Sequence, residues 1–379
     1  MIYDVIVIGA GPAGGMTARI LSKKGYSVLI IDKKKKVGCP IQCGEVISEF
    51  GLMNSKLKPR KEWIKRKHKG IKIFVPDDNF FFSFTKSYSI NREKFDQWLI
   101  KEAIDYGGRL LLKTNASGIR KKKLWYVKTN RGVFKSDILV GADGPEANVA
   151  VWLNLLRKKE FVGAIQYKFK SIDFPEKEFL CMFLNAKFKN GYAWIFPRGD
   201  EFNVGVGGIG NIKKWLDDFC KSKGFDLNKK ISVNAGIIPK NYILKNFVKQ
   251  SALIVGDAAG LTNPIFKGGI YAALFSGKLA GETICKAFEF NDFSLLKEYA
   301  DKLRNSPFCN PILKKASEIF YSFKNEELNF TGYVYSQNNW KKVSYFEIFL
   351  KFLSKPKFFL KLRDLWTVKN GIELSEKTI

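Results

Sequence analysis

A strand that runs into three spaced glycines constrains this chain more than any other feature. The apolar run Val5-Ile6-Val7-Ile8 leads into Gly9-Ala10-Gly11-Pro12-Ala13-Gly14, and a helical segment follows. Gly9 permits a tight turn, Gly11 lets the backbone approach a pyrophosphate, and Gly14 lets helix and strand pack closely. The helix N-terminus offers free N–H groups and a positive dipole end to phosphate. A second apolar run, Val28-Leu29-Ile30-Ile31, closes on Asp32, an acid at the right distance to accept hydrogen bonds from a ribose. Strand, turn, helix and acid in register predict dinucleotide binding rather than a bare glycine turn.

The 379 residues suffice for two or three domains and a large core. Met1-Ile2 run straight into the first strand, and no apolar run approaches the roughly 18–20 residues of a membrane span. The expectation is a cytoplasmic protein. The formal net charge is +29, from 65 Lys+Arg against 36 Asp+Glu. A lysine-rich solvated surface accounts for this, as does attraction to acidic headgroups or an acidic electron carrier. No nucleic-acid motif accompanies the charge, so nucleic acid is not an expected partner. Six cysteines (Cys39, Cys43, Cys181, Cys220, Cys285, Cys309) form no CxxC, and one histidine leaves no Cys/His zinc set. No metal is expected. That histidine, His68, lies in Lys65-Arg66-Lys67-His68-Lys69 and reads as solvated surface.

Residues 1–32 read as strand, helix, strand, and 33–52 as a loop rich in Gly, Pro and Lys. Strand signals follow at Ile71 to Val75 and Phe80 to Phe84. A helix is expected over 91–106 with Asn91 as its cap. Leu110-Leu111-Leu112 reads as a strand, and Trp125 to Thr129 with Val133-Phe134 as a hairpin. Ile138-Leu139-Val140 reads as a separate buried strand ending in Gly141-Ala142-Asp143-Gly144. From 160 to 245 strands alternate, which predicts a separate antiparallel sheet. Ala252 to Val255 is another buried strand, with Gly256-Asp257 and a helix through Phe288 behind it. The segment after 295 reads as helical.

The expected fold is thus α/β (α+β). A Rossmann-like dinucleotide domain occupies residues 1–52, 87–158 and 250–294. An antiparallel-sheet substrate domain is inserted at 53–86 and 159–249, and a helical region fills 295–379. Gly205-Val206-Gly207-Gly208-Ile209-Gly210 also fits the glycine spacing, but its lead-in, Phe202-Asn203-Val204, alternates apolar and polar residues. A nucleotide-binding parallel strand is apolar throughout, so this reads as a strand ending in a turn.

Gly256-Asp257-Ala258-Ala259-Gly260 and Asp143-Gly144 each close a buried strand. With the glycine turn, these ordered motifs resemble the FAD-binding fold of the para-hydroxybenzoate hydroxylase type. The resemblance implies FAD as cofactor. It places Asp257 on the ribityl and pyrophosphate region and Gly268-Gly269-Ile270 beside the isoalloxazine. It places Arg92 near the flavin chain and Ala116, at the end of a strand, near the adenine. It adds Lys33, Cys43, Gly44, Val46, Asp143, Gly144 and Gly256 to Gly9, Gly11, Pro12, Ala13, Gly14 and Asp32 as cofactor-binding residues.

A narrower resemblance rests on Gly38-Cys39-Pro40-Ile41-Gln42-Cys43-Gly44-Glu45, Tyr192-Ala193-Trp194-Ile195-Phe196-Pro197 and Gly256 to Pro264. These are similar to the G-x-P-x-x-C-G-E, Y-x-W-x-F-P and G-D-A-A-G-x-x-N-P segments of geranylgeranyl reductases, over roughly residues 1–300. Two positions depart: Lys189 stands where the family has proline, and Lys267 where it has a glycine run. The resemblance implies saturation of isoprenoid C=C bonds by reduced FAD, in ether phospholipids or geranylgeranyl diphosphate. It implies an electron donor such as ferredoxin, a reduced nicotinamide or a deazaflavin.

Reducing an isolated alkene takes a hydride to one carbon and a proton to the other. No carbonyl is present to polarise, so alignment in a dry pocket must supply much of the catalysis. Tyr192, Trp194 and Phe196 fall on one strand face, and Pro197 is expected to end that strand. The expected catalytic residues are Cys43, Gly44, Tyr192 and Trp194, and the expected substrate contacts are Tyr192, Trp194, Phe196 and Pro197. Cys43 either shapes the pocket or donates a proton, while Glu45 is expected to anchor its loop. The aromatic and basic stretch Tyr345 to Arg363 suits a membrane interface and suits a helix packed over a tunnel. A flavin monooxygenase or halogenase on the same fold is the rival enzyme. A flavoprotein that binds lipid or nucleic acid without catalysis is the rival of another class.

Overall fold

Strands with no polar face must be covered on both sides, and the first two strands of this chain are. In the computed structural model, which describes residues 1–170, 174–240, 243–336 and 338–379, Ile2–Ile8 sits inside a parallel sheet. Its neighbours are Val28–Ile31 on one side and Gly132–Gly141 on the other, with Ile6 facing Leu29 and Leu139 in register. Arg109–Leu111 and Ala252–Ile254 extend the parallel sheet outward. The helices Pro12–Lys23 and Ile270–Glu289 pack on one another, and Ala13, Ala18, Ala272, Ala273 and Ala280 belong to the same buried core. A Cβ on Gly277 would lie 2.3 Å from the Ala13 carbonyl oxygen, so their crossing depends on that glycine.

The hairpin and the buried strand expected over 125–140 share a single ten-residue strand, Gly132–Gly141. Its first half pairs antiparallel with Trp125–Thr129, and its second half enters the parallel sheet. Lys135-Ser136-Asp137 reads as a break because the strand changes partners there; the Ser136 hydroxyl is buried and donates to the Ile138 carbonyl.

The second sheet has seven strands, ordered Lys230–Pro239, Phe161–Lys170, Glu201–Gly208, Ala193–Arg198, Phe179–Phe183, Gly70–Phe74, Phe80–Ser83. It is antiparallel except where Phe179–Phe183 runs parallel to Gly70–Phe74, which corrects the all-antiparallel expectation. A small third sheet joins Val46–Ser48, from the expected loop, and Ser87–Ile90, from the start of a segment expected in the dinucleotide domain, to Ile64–His68, from the expected inserted domain.

Three further expectations are corrected. No helix starts at Gly256: Gly256–Ala259 is one 3-10 turn, closed by Gly260 in the left-handed region, and the helix begins at Ile270. Pro197 does not end its strand, which runs through Arg198. Phe179–Phe183 pairs only with Ala193 to Ile195, so Pro197 has a neighbour on one side alone and its missing N–H costs no ladder bond. His68 is buried at 1% exposure, with Nε2 2.8 Å from the Ser89 hydroxyl, which donates to the Pro197 carbonyl. Its lysine-rich surroundings belong to alternating strand faces.

The C-terminal region is helical, with Pro311–Phe320 against Leu362–Ser375. A Cβ on Gly371 would lie 2.2 Å from Ala316 Cβ, so the two helices cross in close contact.

Candidate active site

Between the parallel sheet and the seven-stranded sheet lies one large, mainly apolar cavity. Its first wall is backbone. Gly9 has φ +114°, and a Cβ there would sit 2.1 Å from the Ala142 oxygen; a Cβ on Gly14 would sit 1.9 Å from the Gly9 oxygen. Gly11 caps the helix, and a Cβ on it would meet nothing within 4 Å, because Gly11, Pro12 and Ala13 face the cavity. Asp32 accepts from the Ala10 and Lys34 N–H groups, both at 2.8 Å, which holds its carboxylate beside the turn. The glycine cradle and the uncovered helix N-terminus fit a pyrophosphate.

The second wall is the loop before Val46. Cys43, Gly44 and Val46 line the cavity. Cys43 Sγ accepts from the Glu45 N–H at 3.2 Å, and its carbonyl accepts from Gln166 Nε2 at 2.9 Å. Glu45 is fully buried in the left-handed region at φ +64°. It accepts from Arg198 and Asn203 side chains at 3.1 Å each, and from the Arg92 N–H at 3.3 Å. Lys168 stands 3.6 Å away. This is the anchoring role expected of Glu45. Arg92 lines the cavity and holds Asp96 through two bonds of 3.1 Å. Burial opposes its charge, but Asp96 and then Cys43 outweigh it and keep the guanidinium protonated.

The third wall is aromatic. Tyr192, Trp194 and Phe196 all face the cavity, with Trp194 and Phe196 stacked at 6.0 Å. Trp194 Nε1 donates to Gln166 Oε1 at 3.3 Å, and the Tyr192 hydroxyl donates to the Phe266 carbonyl at 2.5 Å. Burial, then Cys43, raises the Tyr192 pKa. The Gly205–Gly210 segment is a strand ending in a turn, and its glycines make room for this wall: a Cβ on Gly205 would lie 2.2 Å from the Trp194 ring. Pro197, the remaining expected substrate contact, is buried and lies outside the cavity lining.

The last wall is the segment before the long helix. Gly268, Gly269 and Ile270 line the cavity beside Asp257, whose carboxylate accepts from the Thr262 hydroxyl at 2.7 Å. Burial raises the Asp257 pKa. Gly144 also lines the cavity, whereas Asp143 accepts from the Val149 N–H, and burial pushes it up to about 6. Lys33 is exposed and pairs with Glu146 at 2.5 Å. Ala116 opens its strand instead of ending one, near Asp32, whose carbonyl accepts from the Thr114 N–H. Gly256 is buried under the long helix and donates its N–H to Ser276. Asp143 and Gly256 are thus each flanked by lining residues, while Asp32, Lys33 and Ala116 sit farther out around the parallel sheet.

Several lining residues escaped the sequence reading. Gln166 joins Cys43 to Trp194, Asn234 to Ile238 form one side, and Ile379 reaches the cavity, where the Ser48 hydroxyl bonds its oxygen. All six cysteines are free, Cys39 and Cys43 included. Among the described residues no cluster of acids, thiols and imidazoles could hold a metal, and no helix is long and apolar enough to cross a membrane.

A sequence model described as geranylgeranyl reductase catalytic domain matches residues 161–238, and one described as FAD binding domain matches residues 2–39. The chain is 35% identical to digeranylgeranylglycerophospholipid reductase 3 of Methanosphaera stadtmanae, over 79% of this chain and 81% of that protein. It is 30% identical to reductase 2 of that organism over 96% and 99%. A solved structure of a geranylgeranyl bacteriochlorophyll reductase-like protein from Thermoplasma acidophilum superposes with a TM-score of 0.84 at 26% identity, covering 96% and 99%. The flavin-dependent brominase Bmp2, at 19% identity and TM-score 0.69, shares the fold. Fold and cavity define a flavoprotein oxidoreductase that binds FAD. Within that class, the chain belongs to the geranylgeranyl reductase family.

Proposed function

We propose that this protein saturates the C=C bonds of a geranylgeranyl chain carried by an ether phospholipid or a diphosphate. The observation that carries this reading is the cavity itself. One apolar space joins the glycine turn, the Gly268–Ile270 segment and the Tyr192–Trp194–Phe196 face. Bound reduced FAD supplies the hydride. The chain's residues supply the rest: Gly11 to Ala13, Arg92 and Asp257 hold the cofactor, and the aromatic face aligns the alkene. Cys43, held between Glu45 and Arg92, stands where a proton could be delivered. The apolar lining keeps water away from the reacting carbons, where it would otherwise add.

The second surface in this proposal is the membrane. The helix Tyr345–Leu353 and the residues after it expose Phe346, Leu350, Leu360 and Trp366, with Leu360 94% uncovered. Lys351, Lys355, Lys357 and Arg363 accompany them. Apolar and basic residues together suit an anionic bilayer surface. Either an acidic carrier such as ferredoxin or a reduced nicotinamide or deazaflavin serves as donor, and the +29 charge favours the acidic carrier.

The test is anaerobic. The flavin is reduced, geranylgeranyl phospholipid is added, and absorbance and product mass are followed. Flavin reoxidation with gain of two hydrogens per double bond supports the reading. A flavin that stays reduced with lipid, yet reacts with oxygen to hydroxylate or halogenate a substrate, replaces it with the rival enzyme.

A further inference from the structure

Lys267 is a cation in a place that disfavours one. Its ammonium donates to the Pro264 carbonyl at 2.6 Å and lies 4.7 Å from the centre of the Tyr321 ring. It forms no ion pair among the described residues, and its backbone is held at φ +57°. Burial, and then Lys240, pulls its pKa down to about 7. Lys267 is half-buried on the cavity wall, and a charge withdrawn from water normally has a counter-ion.

Tyr321 has a second neighbourhood. It lines a second, more polar cleft together with Lys158, Lys240, Lys314, Glu160 and Glu318. Both glutamates are engaged, Glu160 with Lys158 at 2.8 Å and Glu318 with Lys314 at 3.8 Å. Lys240 has no carboxylate within ion-pairing distance among the described residues. Lys267 lines the apolar cavity and Lys240 the cleft, with the Tyr321 ring shared between them. An amphiphile with an apolar chain and a phosphate end matches that pair of surfaces: an apolar space and, beside it, two lysines with no acid partner among the described residues.

We propose that Lys267 and Lys240, on either side of Tyr321, receive the phosphate end of the substrate while its chain lies in the apolar cavity. The proposal rests on the isoprenoid reading above. Phosphate would supply the missing counter-ion, and an ion pair away from water is worth more than an exposed one. The cation would then discriminate phosphorylated isoprenoids from the free alcohol.

The test uses the FAD-loaded protein and its Lys267→Met and Lys267→Arg variants in low salt. Calorimetry measures binding of geranylgeranyl diphosphate, geranylgeraniol and inorganic pyrophosphate. The expected result is a diphosphate-over-alcohol preference of at least about tenfold in the native protein, lost in K267M and kept in K267R. An unchanged preference in K267M overturns the proposal. So does loss of bound flavin in folded K267M, which would assign the lysine to the cofactor. If neither isoprenoid binds, the isoprenoid reading fails, and pyrophosphate decides the subsite. Binding to the native protein but not to K267M leaves a site for free phosphate; equal or absent binding removes it. Circular dichroism of both variants separates these outcomes from misfolding.

Discussion

The glycine wall and the aromatic wall of the cavity are built on different principles. The first is made of consecutive residues, and its shape is set by backbone atoms within about two ångströms of where a Cβ would stand at Gly9 and Gly14. The second lays the side chains of Gln166 and the Tyr192–Phe196 segment over the glycines of Glu201–Gly208, and its strands are tied to Glu45 through Arg198 and Asn203. A backbone wall tolerates no added atom at its crossing points. A side-chain wall tolerates change until one of its fixed points fails.

The largest effect should come from breaking the first wall. Gly14→Val should leave the protein almost free of flavin, read as the ratio of visible to ultraviolet absorbance, because the atom 1.9 Å away is the Gly9 backbone oxygen, which no rotamer change can move. Next comes the fixed point of the second wall. Glu45→Ala leaves Arg198 and Lys168 with Glu201 as their one remaining carboxylate, unpairs the Asn203 amide and the Arg92 N–H, and should cost about 3–5 kcal/mol in denaturant unfolding. A smaller loss tests the seam beneath it. His68 is held neutral by burial, with its pKa near 4 against an ordinary 6.5. The unfolded chain binds that proton first, so stability is complete above pH 6.5 and falls as pH drops toward 4, by roughly 3 kcal/mol. His68→Gln should flatten that part of the profile. The smallest change sharpens the comparison. Gly205→Ala pushes on the Trp194 ring and should lower alkene reduction by about tenfold to a hundredfold while flavin content is kept. If flavin content falls as well, the two walls are not independent.

This contrast also explains what sequence could disclose. The glycine turn, Asp32 and the parallel strands were legible because each is a local pattern with a local cause. The Tyr192–Phe196 face was legible because alternation on one strand sets direction. Gln166, Asn203 and Arg198 carry no local signal; they matter only because distant strands bring them to Cys43 and Glu45. The buried state of His68 was hidden for a related reason. Its neighbours Lys65, Lys67 and Lys69 announce a surface, but a strand turns every second residue inward. Gly256 misled in the opposite direction: a strand followed by a glycine looks like the start of a helix, yet the turn closes at Gly260 and the chain passes Pro264 before a helix forms.

Glu45 joins a loop under the parallel sheet to strands of the seven-stranded sheet through buried charge. Such a joint acts as a rivet. Parting the two sheets would strand ions in an apolar interior, and that cost opposes a clamshell motion around a guest. A long flexible chain would then enter by sliding along the walls rather than by being closed upon. Each bond to be reduced would then reach the same stationary point by sliding, and the order of reduction along the chain would follow from how far it has been drawn in.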